Sequence, residues 1–293
     1  MTSPGQPRQK WSDRNFVTEV LIPSFFQRKR GTRPRHAPIF PVLKPGQFCI
    51  TWIGHASFLI QTHNHNILID PNWANWLLVI RRLRHAGLAI QHLPDIDLVL
   101  ITHAHFDHLN RRTLRNIASR QPILVPSGVA GLVHGLGFEK VHEMDWWQTL
   151  EFKDLKITFT PAKHWGARTL LDNHRKYGGF VIEYAGRSAY HGGDSAYFEG
   201  FKEIGTRFAP EIALLPIGAY QPPSFRDNHM GPEEALDAFV DLHSKIFIPM
   251  HYGTYRLSYE PMHEPPQRLM KAAAALNLLH QIRFLTEGMP QVM

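Results

Sequence analysis

The chain has 293 residues, of which 43% are apolar and 19% are charged, a balance typical of a folded globular protein. No apolar run approaches the roughly 18 to 20 residues that a membrane-spanning helix needs, and no secretory signal is predicted at the N-terminus. Cys49 is the single cysteine, which excludes an internal disulfide and favours a reducing, cytoplasmic location.

The net charge of +7 favours an anionic partner, and much of it lies near the N-terminus. Residues 1–45 are predicted to form a basic N-terminal extension. Its composition suits peripheral contact with an anionic membrane surface, and a solvated arm folded along the body is the alternative. The residues behind this prediction are Arg8, Lys10, Arg14, Arg28, Lys29, Arg30, Arg33 and Arg35, against Asp13 and Glu19, with Leu21, Ile22, Phe25 and Phe26 between them.

From residue 46 onward, short β-type runs alternate with turns and a few helical segments, which predicts one α/β domain over 46–293 with helices outside mixed sheets. The predicted strands are 49–53, 57–60, 66–69, 97–101, 123–125, 156–160, 180–184, 188–191, 212–215 and 246–248. The predicted helices are 113–120, 232–242, with Pro232 at its first position, and 266–280.

Nineteen histidines stand out in this composition, and four ligand-type residues follow the buried strand 97–101 directly. His103 and His105 are two residues apart, so an extended chain points both imidazoles to one side. Asp107 and His108 come next and offer an oxygen and a nitrogen to a neighbouring cation. Imidazole and carboxylate together suit zinc, with iron or manganese as alternatives.

This run, H-x-H-x-D-H, resembles the signature of the metallo-β-lactamase superfamily. The resemblance implies a four-layer αββα sandwich with a site for two metal ions at one edge of the sheets. It also implies three further ligands, each after a strand-like run: His164, a bridging Asp194 and His251. The implied sets are His103, His105 and His164 for one metal, Asp107, His108 and His251 for the other, and Asp194 between them.

Two nearby residues are interpreted as supports for the ligands. Asp70 ends a strand and resembles the superfamily's supporting aspartate, which orients a ligand through hydrogen bonds. His55, in a G-H-A-S element found in several branches, is expected to line or buttress the site rather than to bind metal. Five other histidines are expected to be ordinary surface or loop residues: His63, His65, His85, His92 and His142.

The implied mechanism is hydrolysis by a metal-activated water. Two metals lower the pKa of a shared water and hold the resulting hydroxide in line with an electrophile. Asp107 and Asp194 are the predicted catalytic residues, with Asp194 bridging the metals and orienting the hydroxide. The sequence has no G-x-S-x-G motif, so no serine nucleophile is predicted.

The segments around the later ligands resemble the branch of N-acyl-phosphatidylethanolamine-hydrolysing phospholipases D, from about residue 35 to residue 288. That branch attacks the phosphodiester phosphorus and releases an N-acylethanolamine and a phosphatidic acid. His229 falls where the branch has a substrate-contacting histidine, and Phe106 stands where the mammalian enzyme has a tyrosine. The matching segments are 160–169, 193–199, 215–220, 232–235 and 250–254.

Several alternatives stay open. Phe106, and Ala167 in place of a lysine of the mammalian enzyme, leave another phospholipid or phosphodiester as substrate. A metal-dependent lactonase of the ascorbate-lactonase type shares the G-H-A-S element. The positive charge alone suggests a nucleic-acid-processing protein, but the chain has no room for the extra insert of superfamily nucleases, so no nucleic-acid partner is expected. The oligomeric state is left open, with a homodimer as one alternative.

Overall fold

The structure is a computed structural model that describes residues 14–31, 33–168, 172 and 174–293. Arg8, Lys10 and Asp13 of the basic segment, and Thr169 at the end of the 160–169 motif, lie outside the described residues. The strands are β1 Cys49–Gly54, β2 Ser57–Gln61, β3 Asn66–Ile69, β4 Trp76–Leu77, β5 Ile80–Arg81, β6 Leu98–Leu100, β7 Ile123–Pro126, β8 Val141–Met144, β9 Thr149–Phe152, β10 Leu155–Thr160, β11 Gly179–Tyr184, β12 Arg187–His191, β13 Ile212–Pro216, β14 Ile246–Met250 and β15 Gln291–Val292. The α-helices are α1 Ile22–Phe26, α2 Arg111–Ile117, α3 Ala130–Val133, α4 Gly200–Phe208, α5 Pro232–Asp241 and α6 Glu264–Ala275.

Two mixed sheets form the centre of the fold. The first has the order β15-β1-β2-β3-β6-β7-β8, with parallel pairs from β3 to β8 and antiparallel pairs elsewhere. The second has the order β14-β13-β12-β11-β10-β9, with β12, β13 and β14 parallel. Because the carboxyl ends of parallel neighbours meet at one edge of a sheet, the loops after β3 and β6 lie together. The same holds for the loops after β12 and β14.

Three apolar layers hold the sheets and helices together. Between the sheets, Trp52 and Phe58 of the first sheet share one buried cluster with Phe159 and Phe180 of the second. The outer faces are covered by helices: α4, α5 and α6 pack on the second sheet, and α2 and α3 pack on the first. Each large apolar side chain buried in this way contributes about 1.5–3 kcal/mol. The layers therefore give the predicted αββα sandwich.

The strand β6 shows why an unbroken apolar run was correctly interpreted as a doubly buried strand. Leu98 and Leu100 face the cluster between the sheets, whereas Val99 faces the outer cluster under α2 and α3. All three side chains are fully buried. Since both faces of a central parallel strand are covered, alternation of polar and apolar residues is lost.

Two of the three predicted helices begin at a different residue in the structure. The α2 helix begins at Arg111, two residues before the predicted start, because Asn110 accepts a hydrogen bond from Thr113 N at 2.9 Å. The α5 helix begins at Pro232 as predicted, and Glu234 Oε2 accepts from Gly231 N at 2.7 Å. The α6 helix spans 264–275, and a separate 3₁₀ turn at 279–281 follows instead of a continuous helix to residue 280.

The described part of the N-terminal extension lies against the body. A π-helix at Val17–Leu21 continues into α1, and the Arg81 guanidinium of β5 donates to the carbonyl oxygens of Phe25 and Gln27. Further along, Arg30 N donates to Leu83 O at 2.7 Å. None of the helices in the described ranges combines the length and apolar character that a membrane crossing requires.

Of the five histidines predicted to lie at the surface or in loops, His142 lies in a strand, and His65 lies in a loop as predicted but is buried. His142 lies in β8 and is half-buried. His65 lies in the β2–β3 loop but is only 4% exposed, because its Nε2 pairs with Asp154 Oδ1 of the β9–β10 turn. Neither histidine belongs to the groups of His, Asp and Glu that converge in the described part of the chain.

Candidate metal centre

The loop after β6 is fixed by Asp70, which follows β3. Asp70 Oδ1 accepts from Thr102 N at 2.8 Å, and its Oδ2 accepts from Thr102 Oγ1 at 2.6 Å. The same Oδ2 lies 2.6 Å from His108 Nδ1, which directs the Nε2 of that ring toward the centre of the site. Asp70 therefore occupies the supporting position that the sequence predicted for it.

His103, His105 and His164 converge on one point. His103 Nε2 lies 3.0 Å from His105 Nδ1, which is 3.2 Å from His164 Nε2. A tetrahedral cation with bonds of 2.0–2.1 Å to imidazole spaces the nitrogens about 3.4 Å apart. His164 comes from the loop after β10, where its Nδ1 donates to Asn228 O at 2.9 Å. The three nitrogens thus have nearly the spacing of ligands to a single cation.

Asp107, His108 and His251 form the second group. His251 Nε2 lies 3.3 Å from Asp107 Oδ2, and His108 Nε2 lies 3.7 Å from the same oxygen. Asp194 stands between the two groups: its Oδ2 is 3.0 Å from His251 Nε2, 3.3 Å from His108 Nε2 and 3.9 Å from His103 Nε2. All seven predicted ligands are therefore brought together, with Asp194 in the shared position.

Unpartnered buried atoms show that these residues fit a cation site. His108 Nε2 and Asp194 Oδ1 are buried and have no hydrogen-bond partner among the described residues. An unpaired buried polar atom costs about 1–3 kcal/mol unless another group binds it. Imidazole nitrogens and carboxylate oxygens at this spacing are the donor set of divalent transition metals.

Burial and mutual charge set the protonation of the first group and of the carboxylates. Burial lowers the pKa of His103 and His164 well below the usual value, so both rings are neutral and offer lone pairs. Burial alone raises the pKa of Asp107 and Asp194, but the neighbouring His108 and His251 more than reverse this and hold both carboxyls ionised. The first group therefore offers neutral nitrogens beside two negative charges, which suits a divalent cation. In the second group burial lowers the pKa of His108 and of His251, but Asp194 and Asp107 more than reverse this and raise both, that of His251 to about 9, so a cation bound there would replace a proton on each ring.

His55 lies directly behind the second group. Its Nε2 is 2.8 Å from Asp107 Oδ2, and its ring centroid is 4.0 Å from that of His251. The left-handed backbone at His55 (φ +58°) is fixed because its N–H donates to Thr254 Oγ1 and its carbonyl oxygen accepts from His251 N. This is a buttressing position in contact with a ligand, as the sequence suggested, although His55 also stands within ligand range of the second group.

The two predicted substrate contacts are at the same edge. His229 Nδ1 lies 3.8 Å from Asp194 Oδ2 and has no hydrogen-bond partner among the described residues. Burial lowers the pKa of His229 to about 4, so the ring is neutral at physiological pH. Phe106 is half-buried, and the Arg168 guanidinium lies 4.0 Å from the centroid of its ring.

Sequence reasoning missed three residues that shape the centre. Asn72 Nδ2 donates to the carbonyl oxygens of Asp107 and Phe106, at 2.8 Å and 3.2 Å, and so fixes the ligand loop. Arg168 donates to Ala104 O and Leu109 O on the same loop. Trp165 meets His105 edge to face, with ring centroids 4.6 Å apart. The position of Asn72 two residues after the strand-end Asp70 was the one available signal, since a polar residue there reaches the neighbouring loop.

Comparisons with known proteins agree with this geometry. A family model described as the beta-lactamase superfamily domain matches residues 65–252, a range that contains all seven ligands. N-acyl-phosphatidylethanolamine-hydrolyzing phospholipase D 1 of Caenorhabditis elegans is 30% identical over 83% of this chain and 74% of its own length. A metal-dependent hydrolase of Methanopyrus kandleri is 32% identical over 82% of this chain and 97% of its own length.

Solved structures show the same fold. Igni18, a metallo hydrolase from Ignicoccus hospitalis, superposes with a TM-score of 0.65 at 25% identity, over 84% of this chain and 98% of its own. The chain is therefore a member of the metallo-β-lactamase superfamily, in which it is related over most of its length to N-acyl-phosphatidylethanolamine-hydrolysing phospholipases D and to metal-dependent hydrolases.

Proposed function

We propose that this metal-dependent hydrolase is a phosphodiesterase of the phospholipase D type that uses two zinc ions to cleave N-acyl-phosphatidylethanolamine-like phospholipids. The observation that carries the proposal is the pair of ligand groups that share Asp194 Oδ2, within a chain 30% identical to a phospholipase D of that kind. Iron or manganese are the alternative cations for the same donor set. A cytoplasmic location is part of this proposal.

The cations would be held by His103, His105 and His164, by Asp107, His108 and His251, and by Asp194 between the groups. When bound, two such cations lower the pKa of a water and polarise the oxygen of the bond under attack. Asp194 Oδ1 has no described partner, so it is free to accept a hydrogen bond from an attacking water and to orient it.

Two histidines next to the ligands would have different roles: His229 would position the phosphodiester, and His55 would position Asp107. His229 is neutral, so one of its two ring nitrogens carries a proton. That N–H group can donate a hydrogen bond to a phosphoryl oxygen. His229 Nδ1 lies 3.8 Å from Asp194 Oδ2, so the ring is next to the shared carboxylate. His55 is buried and donates to Asp107 Oδ2, which keeps that oxygen turned toward His251.

A membrane surface is the proposed partner, because the N-terminal extension and the adjacent β4–β5 hairpin together expose an apolar patch. Phe26 of α1 and Leu78 at the tip of the β4–β5 hairpin are 83% and 73% exposed, and Ile22 and Val79 are also exposed. Phe25 packs on Trp76, with ring centroids 5.3 Å apart, so helix and hairpin form one surface. Lysine and arginine at its margin suit anionic lipid. These basic residues are Arg28, Lys29, Arg30 and Arg33.

Vesicle binding tests this partner. Phe26→Ser/Leu78→Ser should reduce sedimentation with vesicles of phosphatidylglycerol and phosphatidylcholine. Val240→Ser/Leu276→Ser, at exposed apolar positions on α5 and beyond α6, should bind like the wild type. Equal binding of both pairs would contradict the assignment of this surface.

A paired substrate assay tests the reaction class. The same metal-loaded protein is given bis-(p-nitrophenyl) phosphate and a simple lactone, with Asp107→Asn as the inactive control. The proposal expects phosphodiester turnover that Asp107→Asn abolishes. Lactone turnover without phosphodiester turnover would instead favour the lactonase, the alternative suggested by the G-H-A-S element at His55.

A further inference from the structure

A basic cavity lies under the N-terminal extension, and no metal ligand lines it. Its volume is about 350 Å³, and its polar wall is formed by Lys29 and Arg33 of the extension and by Arg82 and His85 of the segment after β5. No aspartate or glutamate is among the described residues that line it, and none of the seven ligands of the metal centre is among them. The hydrolysis proposed above uses none of these four basic residues, although Lys29 and Arg33 also stand at the basic margin of the proposed membrane surface.

Arg82 gives this cavity a fixed positive charge. It is 1% exposed, and its guanidinium donates from Nε to Arg84 O at 2.8 Å and from Nη1 to Asn72 O and to the Tyr255 hydroxyl, at 3.0 Å and 3.1 Å. These partners are neutral, and no ion pair joins Arg82 to a carboxylate of the described residues. A buried charge without an opposite charge is costly. An anion in the cavity would offset this cost.

The other basic residues experience the same positive field. Burial lowers the pKa of Lys29, and Arg82, Arg81 and Arg33 lower it further. Burial also lowers the pKa of His85, and Lys29, Arg33 and Arg82 add to the effect. Both side chains thus lose part of their proton affinity to nearby positive charge, the opposite of what a neighbouring carboxylate would produce.

The remaining wall is apolar and determines the class of ligand. Trp73, Leu88 and Ile90 line the cavity beside the basic groups, together with the amide side chains of Gln91 and Asn75. Asn75 Oδ1 accepts a hydrogen bond from Lys29 Nζ at 2.5 Å and so holds this ammonium group at the cavity wall. Asn75 is followed in the chain by Trp76 of the exposed apolar patch, so the cavity adjoins that patch. A phosphate group with a short carbon skeleton would match both walls.

We propose that this cavity is an anion site that binds a phosphate monoester or diester, separate from the metal centre. The phosphate would be held by Lys29 and Arg33, with Arg82 and His85 behind it, and its organic part would contact Trp73. The ligand is either a soluble organic phosphate or the headgroup of a lipid in the adjoining bilayer, and the two sources share this chemistry.

Calorimetry on the metal-loaded protein tests the site. Inorganic phosphate and glycerol 3-phosphate are titrated into wild type, Lys29→Gln/Arg33→Gln and the control Arg115→Gln/Lys271→Gln. Both pairs remove two positive charges, but the control residues are exposed on α2 and α6. Loss of two charge-assisted hydrogen bonds should weaken binding about tenfold or more in the cavity pair only. Lys29 and Arg33 also belong to the basic margin of the proposed membrane surface, so competition distinguishes the two sources. Release of the wild type from phosphatidic acid vesicles by glycerol 3-phosphate at constant ionic strength would identify the headgroup as the source, and unchanged vesicle binding would identify the soluble phosphate.

The metal centre can also bind phosphate, so its contribution is measured separately. Inhibition of bis-(p-nitrophenyl) phosphate turnover by inorganic phosphate reports the metal centre, and it should be unchanged in both pairs. Metal content should also be unchanged. Equal affinity of the cavity pair and the control pair for both phosphates, or equal losses in the two pairs, would overturn the proposal. The calorimetric comparison stands even if the enzyme proves to be a lactonase.

Discussion

His55 Nε2 lies 2.8 Å from Asp107 Oδ2, the carboxylate oxygen that faces His251 Nε2 at 3.3 Å. The His55 side chain is buried, so no water competes for this hydrogen bond. Its backbone is held on both sides, by Thr254 Oγ1 and by the indole of Trp52. His55 is therefore placed to hold Asp107 in the orientation that metal binding requires.

We predict that His55→Ala weakens metal retention and lowers turnover by about 10–100-fold, the usual cost of losing a partner of a metal ligand. His55→Gln should retain more of both, because its amide N–H can donate to the same oxygen. Elemental analysis after dialysis and phosphodiesterase assays measure the two effects. His280→Ala, at an exposed histidine, is the control. Unchanged metal content and turnover in His55→Ala would contradict the assigned role.

Asp70→Asn should destabilise both the fold and the metal centre. The Asp70 carboxylate accepts hydrogen bonds from Thr102 N and Oγ1 and from His108, so an amide group would turn one acceptor into a donor that faces another donor. The free energy of unfolding should fall by about 1–3 kcal/mol. Denaturant titration and metal analysis check this against Asp237→Asn, an exposed aspartate on α5. Identical stability of the two variants would count against the prediction.

Gly193 admits no side chain, because its neighbours approach too closely. Its φ is +60°, and a Cβ there would lie 2.5 Å from Gly178 O and 2.9 Å from Thr102 Cβ. Gly186 has a similar φ of +79° but open space around its Cβ position, so Gly186→Ala isolates the backbone strain of about 1–2 kcal/mol. Gly193→Ala should cost about 1–3 kcal/mol more because of the clash. It should also lose metal, since Asp194 follows directly. Equal unfolding free energies would refute the steric argument.

Cys49 should be unreactive in the folded protein. It is fully buried in β1, and burial raises the pKa of its thiol to about 11, so little thiolate is present at about pH 8. Labelling with iodoacetamide should be slow in native buffer and fast in guanidinium chloride, as followed by mass spectrometry. Rapid native labelling would show that β1 opens or that the thiol is accessible.

The four ligands of the loop after β6 could be predicted from the buried strand that precedes them, whereas His164, Asp194 and His251 were implied by the resemblance to the superfamily. His103 to His108, Asp194 and His251 follow β6, β12 and β14, whose carboxyl ends meet at one edge of the sandwich. The residues that support them could not be predicted in this way. Asn72 and Arg168 act on backbone carbonyls of the ligand loop, and such contacts depend on where loops distant in sequence come together.

The basic N-terminal extension is a second feature of the structure that its sequence predicts only in part. Its composition indicated an anionic partner, and the structure places its described residues against the β4–β5 hairpin. The hairpin itself, with exposed Leu78 and Val79, was not predicted, because its strands have only two residues each. The cavity that combines Lys29 and Arg33 with Arg82 and His85 depends on the same tertiary contact. The absence of a nucleic-acid partner and the homodimer alternative stay predictions.

The most direct test of the central claim is product analysis of N-acyl-phosphatidylethanolamine hydrolysis in water labelled with heavy oxygen. The metal-loaded wild type should release phosphatidic acid that carries the label and N-acylethanolamine that does not, because water attacks phosphorus. Asp107→Asn should form neither product. Absence of hydrolysis by a wild-type protein that retains two metals per chain, or label in the N-acylethanolamine, would contradict the account.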